Sequence, residues 1–213
     1  MKISPPKVRT AVLQPANETM LVVETTLEQI SLAQLDFTGK HLENVSLDEA
    51  LIEHCNFGQA QLEKLSLLDT RLSACDFSAA NCSEGSLIRV VCKNGRMTGV
   101  DFSRCTLKDI TFKECKLTLA NFRFAKLTRV QFVDCILDEA DFQAAQLHDV
   151  IFQTSHLQKT DFSQCTLKNV DARSSQLLDI RGWDSLKGLT IDSTQLVMLA
   201  PQLALELGLV VTD

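Results

Sequence analysis

The chain carries an apolar residue at every fifth position over most of its length. The series starts at Leu32, runs through Phe37, Leu42, Leu47 and Ile52, and ends at Phe162, Leu167, Ala172 and Leu177. All 30 positions are apolar and 25 of them are Leu or Phe. Ten of the eleven phenylalanines share this phase. At the chain's overall apolar content of 45%, such a run has a chance probability on the order of 10⁻¹¹ for one fixed phase. Two places before each centre, Ala, Cys, Gly, Ser, Thr or Val occurs in 25 of 30 units, as at Ala120, Ala125, Ala140 and Ala145. The remaining three places are mostly polar.

A period of five fits neither the 3.6 of a helix nor the 2.0 of a strand. On a helix, residues five apart advance by about 500° and wander around the surface. On a strand, successive centres alternate faces. The chain must therefore turn once per unit and keep two of five residues inward. A square coil with one unit per side does this. Four units close a coil of about 20 residues, and coils stack roughly 4.8 Å apart. Residues 20 apart then stand above one another. Phe102, Phe122, Phe142 and Phe162 form one column, Phe112, Phe132 and Phe152 the facing one, and leucines line the other two sides. In the first half Phe37, Phe57 and Phe77 occupy a side that later holds Leu. The change falls at Cys82, Cys92 and Met97, close to Gly85, Gly95 and Gly99. Two readings are open there: a repacked core with a slight bend, or a loop within residues 80–99 whose length is a multiple of five.

The unit reads as a small residue, Asp or Asn, Leu or Phe, then two polar residues. It is plain in Ala120-Asn121-Phe122, Ala140-Asp141-Phe142, Cys75-Asp76-Phe77 and Val100-Asp101-Phe102. In this the sequence resembles the pentapeptide-repeat family, over about 150 of its 213 residues. The resemblance implies an all-β fold, a right-handed quadrilateral β-helix, here with a short C-terminal α-helix. The 30 centres give 7–8 coils and a rod of roughly 36 Å.

Solenoid ends expose apolar surface and open strand edges, so both need covers. Residues 1–26 lack the repeat and are expected to be an N-terminal cap, a strand or hairpin containing Met20-Leu21-Val22-Val23. The β-helix is expected over 27–181, with Arg181-Gly182-Trp183 closing the last coil. Residues 182–213 are expected to form a C-terminal cap. There Asp192 or Ser193 can start a helix and Gly208 can end it. Pro201 is expected to kink or divide that helix, and Leu209-Val210-Val211 to form a last strand. Leu196, Leu199, Leu203 and Leu207 make an apolar stripe at helical spacing. This tail is similar to that of the quinolone-resistance branch of the family, which implies a homodimer through these four leucines. A monomeric cap that folds them onto the last coil is the other reading.

Charge and chemistry add less. The net charge is −6, from 21 basic and 27 acidic residues. It is banded: −5 over 30–79, +6 over 80–130 and −5 over 131–180. Folded onto the 20-residue coil, Asp101, Asp138, Glu139, Asp141, Asp161 and Asp179 project near one corner. Arg89, Arg104, Lys108, Arg123, Lys126 and Arg129 project near the next. Leu119, Phe124, Val133, Ile136 and Ile151 fall at outward places. Six of the eight cysteines hold the small inward position and two are centres, so they read as small core residues rather than disulfides. The four histidines do not recur at 20 and are not expected to bind metal. There is no phosphate loop, GxSxG or HExxH. A filled coil offers no cleft, so no catalytic, cofactor, metal or small-molecule site is expected. No window is apolar enough to cross a membrane and the first residues do not read as a secretory signal. A cytoplasmic protein that does not bind nucleic acid directly is expected.

Two functions follow as expectations. The first is a non-enzymatic interaction rod with an unspecified protein partner, using the acidic or the basic corner. The second is implied by the resemblance: a DNA mimic that binds DNA gyrase or topoisomerase IV and protects it from quinolones. The acidic corner suits a mimic and the basic corner contradicts it.

Overall fold

The computed structural model describes residues 1–210 and residue 212. Its body is a parallel β-helix of square cross-section. Ten strands build it: β2 (Thr26–Glu28), β3 (Ile30–Ala33), β4 (Ser46–Asp48), β5 (Leu51–Glu53), β6 (Ser66–Ser73), β7 (Ser86–Lys93), β8 (Thr106–Lys113), β9 (Lys126–Val133), β10 (Gln146–Gln153) and β11 (Thr166–Asp171). A short strand lies at each end, β1 (Gln14–Pro15) and β12 (Leu189–Thr190), and α1 (Ser193–Glu206), the one α-helix among the described residues, follows. Strands of neighbouring coils pair in parallel with partners 20 residues apart, as in Leu67↔Leu87 and Phe112↔Phe132. Two sides of the square are continuous strand. The other two pair through single bridges, such as Asp101↔Asn121 and Lys116↔Ile136.

The expected centres are the core. All 30 are buried except Leu167, which is partly buried. Phe37, Phe57 and Phe77 stack along one side at centroid spacings of 4.9 and 4.7 Å. In the second half Phe122 stacks on Phe142 at 4.7 Å and Phe132 on Phe152 at 5.1 Å. Across the shaft these facing columns meet edge to face, Phe132 against Phe142 at 84°. Both arrangements suit the ring quadrupole. At the change of layout the coil is unbroken: Cys82, Cys92 and Met97 are buried, and β7 pairs in full register on both sides. The core is therefore repacked there, and residues 80–99 form no loop. Small side chains leave an apolar void of about 10 Å³ between Leu65 and Phe112, no larger than one water needs, and lined without polar partners.

Each corner is made by the residue two after a centre. Every fifth residue from Glu24 to Asp179 has a left-handed backbone, 32 positions of which only Gly39 and Gly99 are glycine. A non-glycine residue there costs roughly 1 kcal/mol. Hydrogen bonding offsets this locally. The Asp or Asn before a centre accepts the N–H two residues on, as Asp101 from Ser103 at 2.7 Å and Asp161 from Ser163 at 2.8 Å. This is the turn chemistry of short acidic and amide side chains.

The inward small position has its own bonding rule. Except at Cys55 and Thr70, which donate within their own coil, a hydroxyl or thiol there donates to the carbonyl of a centre in the previous coil: Thr160 to Leu137 at 3.0 Å, Cys165 to Phe142 at 2.8 Å, Ser175 to Phe152 at 2.9 Å. All eight cysteines are free and buried. Burial pushes the Cys75 thiol up to about 11 and those of Cys105 and Cys165 up to about 12. Such thiols are poor nucleophiles.

The ends depart from the sequence expectations. Leu21 is buried against the first coil while Val22 and Val23 are exposed. The N-terminal strand is not part of a hairpin, because β1 pairs in parallel with β3, Gln14 against Ile30. At the other end Gly182 turns the chain with φ +83, and a Cβ there would lie 2.3 Å from the Ser163 nitrogen. Asp192 caps α1 and forms a capping box with Gln195. Pro201 does not divide the helix, which runs through it as one element. Leu209 and Val210 form no strand, and Val211, the third residue of that expected strand, lies outside the described residues.

Two substitutions test this geometry. Phe122→Ala is expected to cost about 3–5 kcal/mol in denaturant unfolding, because the ring is fully buried between Phe102 and Phe142. Thr154→Asn is expected to raise stability by about 0.5–1 kcal/mol, because a β-branched residue stands at a φ of 50° that Asn tolerates better.

Candidate interaction surface

With the shaft filled, chemistry is confined to the outer corners and the two ends. The expected acidic residues do gather near one corner. Asp101, Asp141 and Asp161 share a column in which Asn121 and Arg181 also stand. Each of these three aspartates spends one oxygen on its own turn, and Asp138 accepts the Gln158 N–H at 3.0 Å. Glu139 and Asp179 stand at corner positions, with Lys159 at the corner of the coil between them. The stripe is thus interrupted by cations and is half engaged in building turns.

The six basic residues do not form one corner. Arg104, Arg123, Lys126, Lys108, Arg89 and Arg129 spread across a whole side, because coil positions 3 and 9 are more than one five-residue unit apart. Arg89 and Arg129 are corner residues bound to the corner aspartate one coil back. Arg89 holds Asp69 at 2.7 and 2.6 Å, and Arg129 holds Asp109 at 2.7 and 2.6 Å. These paired N–H···O bonds hold both carboxyls below their usual range. Arg104 and Arg123 instead approach the Phe124 ring, at 5.6 and 5.9 Å from its centroid. Arg123 also reaches Asp141 at 3.3 Å. Arg104, Lys108 and Lys126 make no ion pair among the described residues.

Phe124 is the one phenylalanine outside the core phase. It stands at a corner and is 51% exposed, with Leu119 at the preceding corner 54% exposed. Ile136 is exposed on the side before that corner, whereas Val133 and Ile151 are half-buried.

The leucine stripe of α1 does not point one way. Leu199 is buried on the last coil and Leu203 is packed against it, while Leu196 and Leu207 are exposed. The reason lies in two glutamines. The last coil leaves carbonyls without a coil above them. Gln195 donates to Ala172 at 2.7 Å and to Ser175 at 2.6 Å, and Gln202 donates to Ile180 at 3.2 Å. Spaced by seven, they turn the Gln195–Leu199–Gln202 seam inward. The outer side of α1 then presents Leu196, Val197, Met198 and Leu205 to solvent. Sequence reasoning favoured the leucines and missed the glutamines, although their spacing was the available signal.

The N-terminal residues lie along the outside of the rod. The Ser4 N–H donates to Asp109 at 3.2 Å, the Lys7 N–H to Asp69 at 2.8 Å, and Arg9 Nε to Glu49 at 2.8 Å. Pro6 is buried against the coil. The Arg9 hydrogen bonds hold the Glu49 carboxyl down at about 2.

A family model described as a pentapeptide repeat region matches residues 65–132 and 125–185. No curated protein matches the sequence. Among solved structures the chain is similar to a trypsin-treated form of QnrB1, a plasmid-mediated fluoroquinolone resistance protein. Identity is 20%, coverage is 94% of this chain and 97% of that one, and the TM-score is 0.48. It is also similar to HetL, a pentapeptide repeat protein involved in heterocyst differentiation regulation, from the cyanobacterium Nostoc sp. strain PCC 7120. There identity is 19%, coverage is 79% and 90%, and the TM-score is 0.35. The family matches span more than half of the sequence, over the coils whose five-residue units were described above: the chain belongs to the pentapeptide-repeat family.

Proposed function

We propose that this protein is a non-enzymatic protein-binding rod that recognises its partner through the corner around Phe124. The observation that carries this reading is Phe124 itself. A large aromatic ring is held half in solvent, on a left-handed corner, between two arginine side chains. Aromatic and arginine side chains are the usual anchors of protein interfaces. Leu119 and Ile136 are further exposed apolar side chains, at the preceding corner and on the side before it. The inward fill leaves the outer skin to do the recognising. Eight free thiols suit a reducing compartment, so we place the protein in the cytoplasm.

We further propose a homodimer through the outer side of α1, not through the full leucine stripe. Leu196, Val197, Met198 and Leu205 are each more than half exposed there, and a continuous apolar surface of this kind usually meets a partner.

The gyrase-protecting DNA mimic is the alternative, and the acidic corner gives it little support. Asn121, Arg181 and Lys159 break the row of carboxylates that would imitate a phosphate backbone.

Pull-down from a cell extract tests the main reading. Phe124→Ala combined with Arg104→Glu is expected to weaken capture of the partner at least ten-fold with little change in melting temperature. Gyrase supercoiling, with and without a quinolone, is expected to be unchanged by tens of micromolar protein. Protection that survives Phe124→Ala and is lost in Glu139→Lys with Asp179→Lys would replace the interaction rod by the mimic. Light scattering tests the dimer: Leu196→Glu with Val197→Glu is expected to halve the mass, and a wild-type monomer would refute it.

A further inference from the structure

The corner that carries Asp69 and Asp109 has a two-coil period. Going up the rod its residues are Glu49, Asp69, Arg89, Asp109, Arg129, Asp149 and Asn169, all left-handed corner residues. Arg89 and Arg129 fix the aspartates beneath them, and Asn169 donates to Asp149 at 3.0 Å in the same way. Fixed carboxylates therefore recur every second coil, roughly 9.6 Å apart.

The N-terminal arm matches that interval. From Ser4 to Lys7 is three residues, and one turn of a polyproline II helix rises about 9.3 Å over three residues. Pro5 and Pro6 lie between, and each fixes its own φ and keeps the residue before it extended. The two backbone N–H groups that bond are separated by this proline pair. They reach Oδ1 of Asp109 and Oδ1 of Asp69, the oxygens that also accept from Arg129 Nε and Arg89 Nε. Each arginine takes one site on each oxygen, and the arm N–H takes the second site on Oδ1. Arg9 then pairs with Glu49, one coil further down. The row continues in register to Asp149, which accepts no arm hydrogen bond among the described residues.

We propose that this corner is a docking track for an extended, proline-containing, basic peptide of a partner protein, and that residues 4–9 occupy it in cis until such a peptide displaces them. The ligand chemistry follows from the contacts. Every third residue must offer a backbone N–H and so cannot be proline. Prolines between them hold the pitch. A cationic side chain answers Glu49 and the neighbouring Asp48, since Asp69 and Asp109 already hold Arg89 and Arg129. The track stands on a different corner from Phe124, so its failure and that of the Phe124 reading are observed separately.

The test uses the full chain with Lys2→Cys, labelled by a fluorophore at that thiol; the eight native thiols are buried and do not compete for the label. The probe is a synthetic peptide of residues 1–12, with a shuffled peptide of the same composition as control. Label anisotropy is expected to fall saturably as the peptide displaces the arm. A tethered arm competes at an effective concentration on the order of millimolar. Arg9→Glu, a change in the arm and outside the coils, is therefore expected to tighten peptide binding at least ten-fold. Asp69→Asn is expected to release the label without peptide. No displacement from the Arg9→Glu chain at several millimolar peptide, or an equal effect of the shuffled peptide, would overturn the proposal. So would a dimer seen by light scattering that Arg9→Glu abolishes, since that assigns the track to the arm of a second copy.

Discussion

A coil that bends through a left-handed corner at every fifth residue is unstable alone and becomes stable only between two others. Each corner carries a backbone cost, and only two of the 32 corner residues avoid it as glycine. What holds them is repetition at a fixed interval of 20. The N–H and C=O of one coil are the partners of the next, and an inward phenylalanine finds the next ring 4.7 to 5.5 Å away. Hydrogen bonding and packing demand the same register, so neither can slip without the other. Stability in such a rod is a sum over neighbouring coils, and the first and last coils are where it fails.

The two ends answer that demand with different chemistry. At the start, Leu21 covers the apolar shaft and β1 supplies a rung that is out of step, Gln14 pairing with Ile30. At the finish, β12 pairs Val170 with Leu189, one residue short of the usual interval. Gln195 and Gln202 then satisfy carbonyls that no further coil reaches. Buried carbonyls left without donors cost about 1–3 kcal/mol each. A glutamine seam on a helix therefore seals a strand edge better than a leucine seam, which explains why α1 is rotated away from its own apolar stripe.

The inward half of the structure was legible in the sequence and the outward half was not. Centres such as Phe122 and Leu137 face one identical environment in every coil, so selection for volume and apolarity repeats at period five. The corner residues share a backbone conformation and, apart from the buried Asp69 and Asp109, reach water, so Glu139, Lys159 and Phe124 all serve and no residue type marks the site. Folding the numbers onto a 20-residue coil grouped the acidic residues well. The basic ones were merged although Arg89 and Arg129 stand one corner beyond Arg104, and position alone does not reveal that they are consumed by Asp69 and Asp109. The N-terminal arm has no periodicity at all. Its place depends on contacts with residues up to 105 positions away, and no local pattern encodes those.

The alternation of acid and base along the Asp69–Asp149 corner gives the rod a parity. Duplicating one coil of 20 residues would preserve the shaft and every backbone bond, yet would set like charges in adjacent rungs of that edge. Duplicating two would keep both intact. The interior is indifferent to odd or even growth, while the Asp69–Asp149 stretch keeps its acid–base pairing only under even growth, so there the surface and not the core sets the increment.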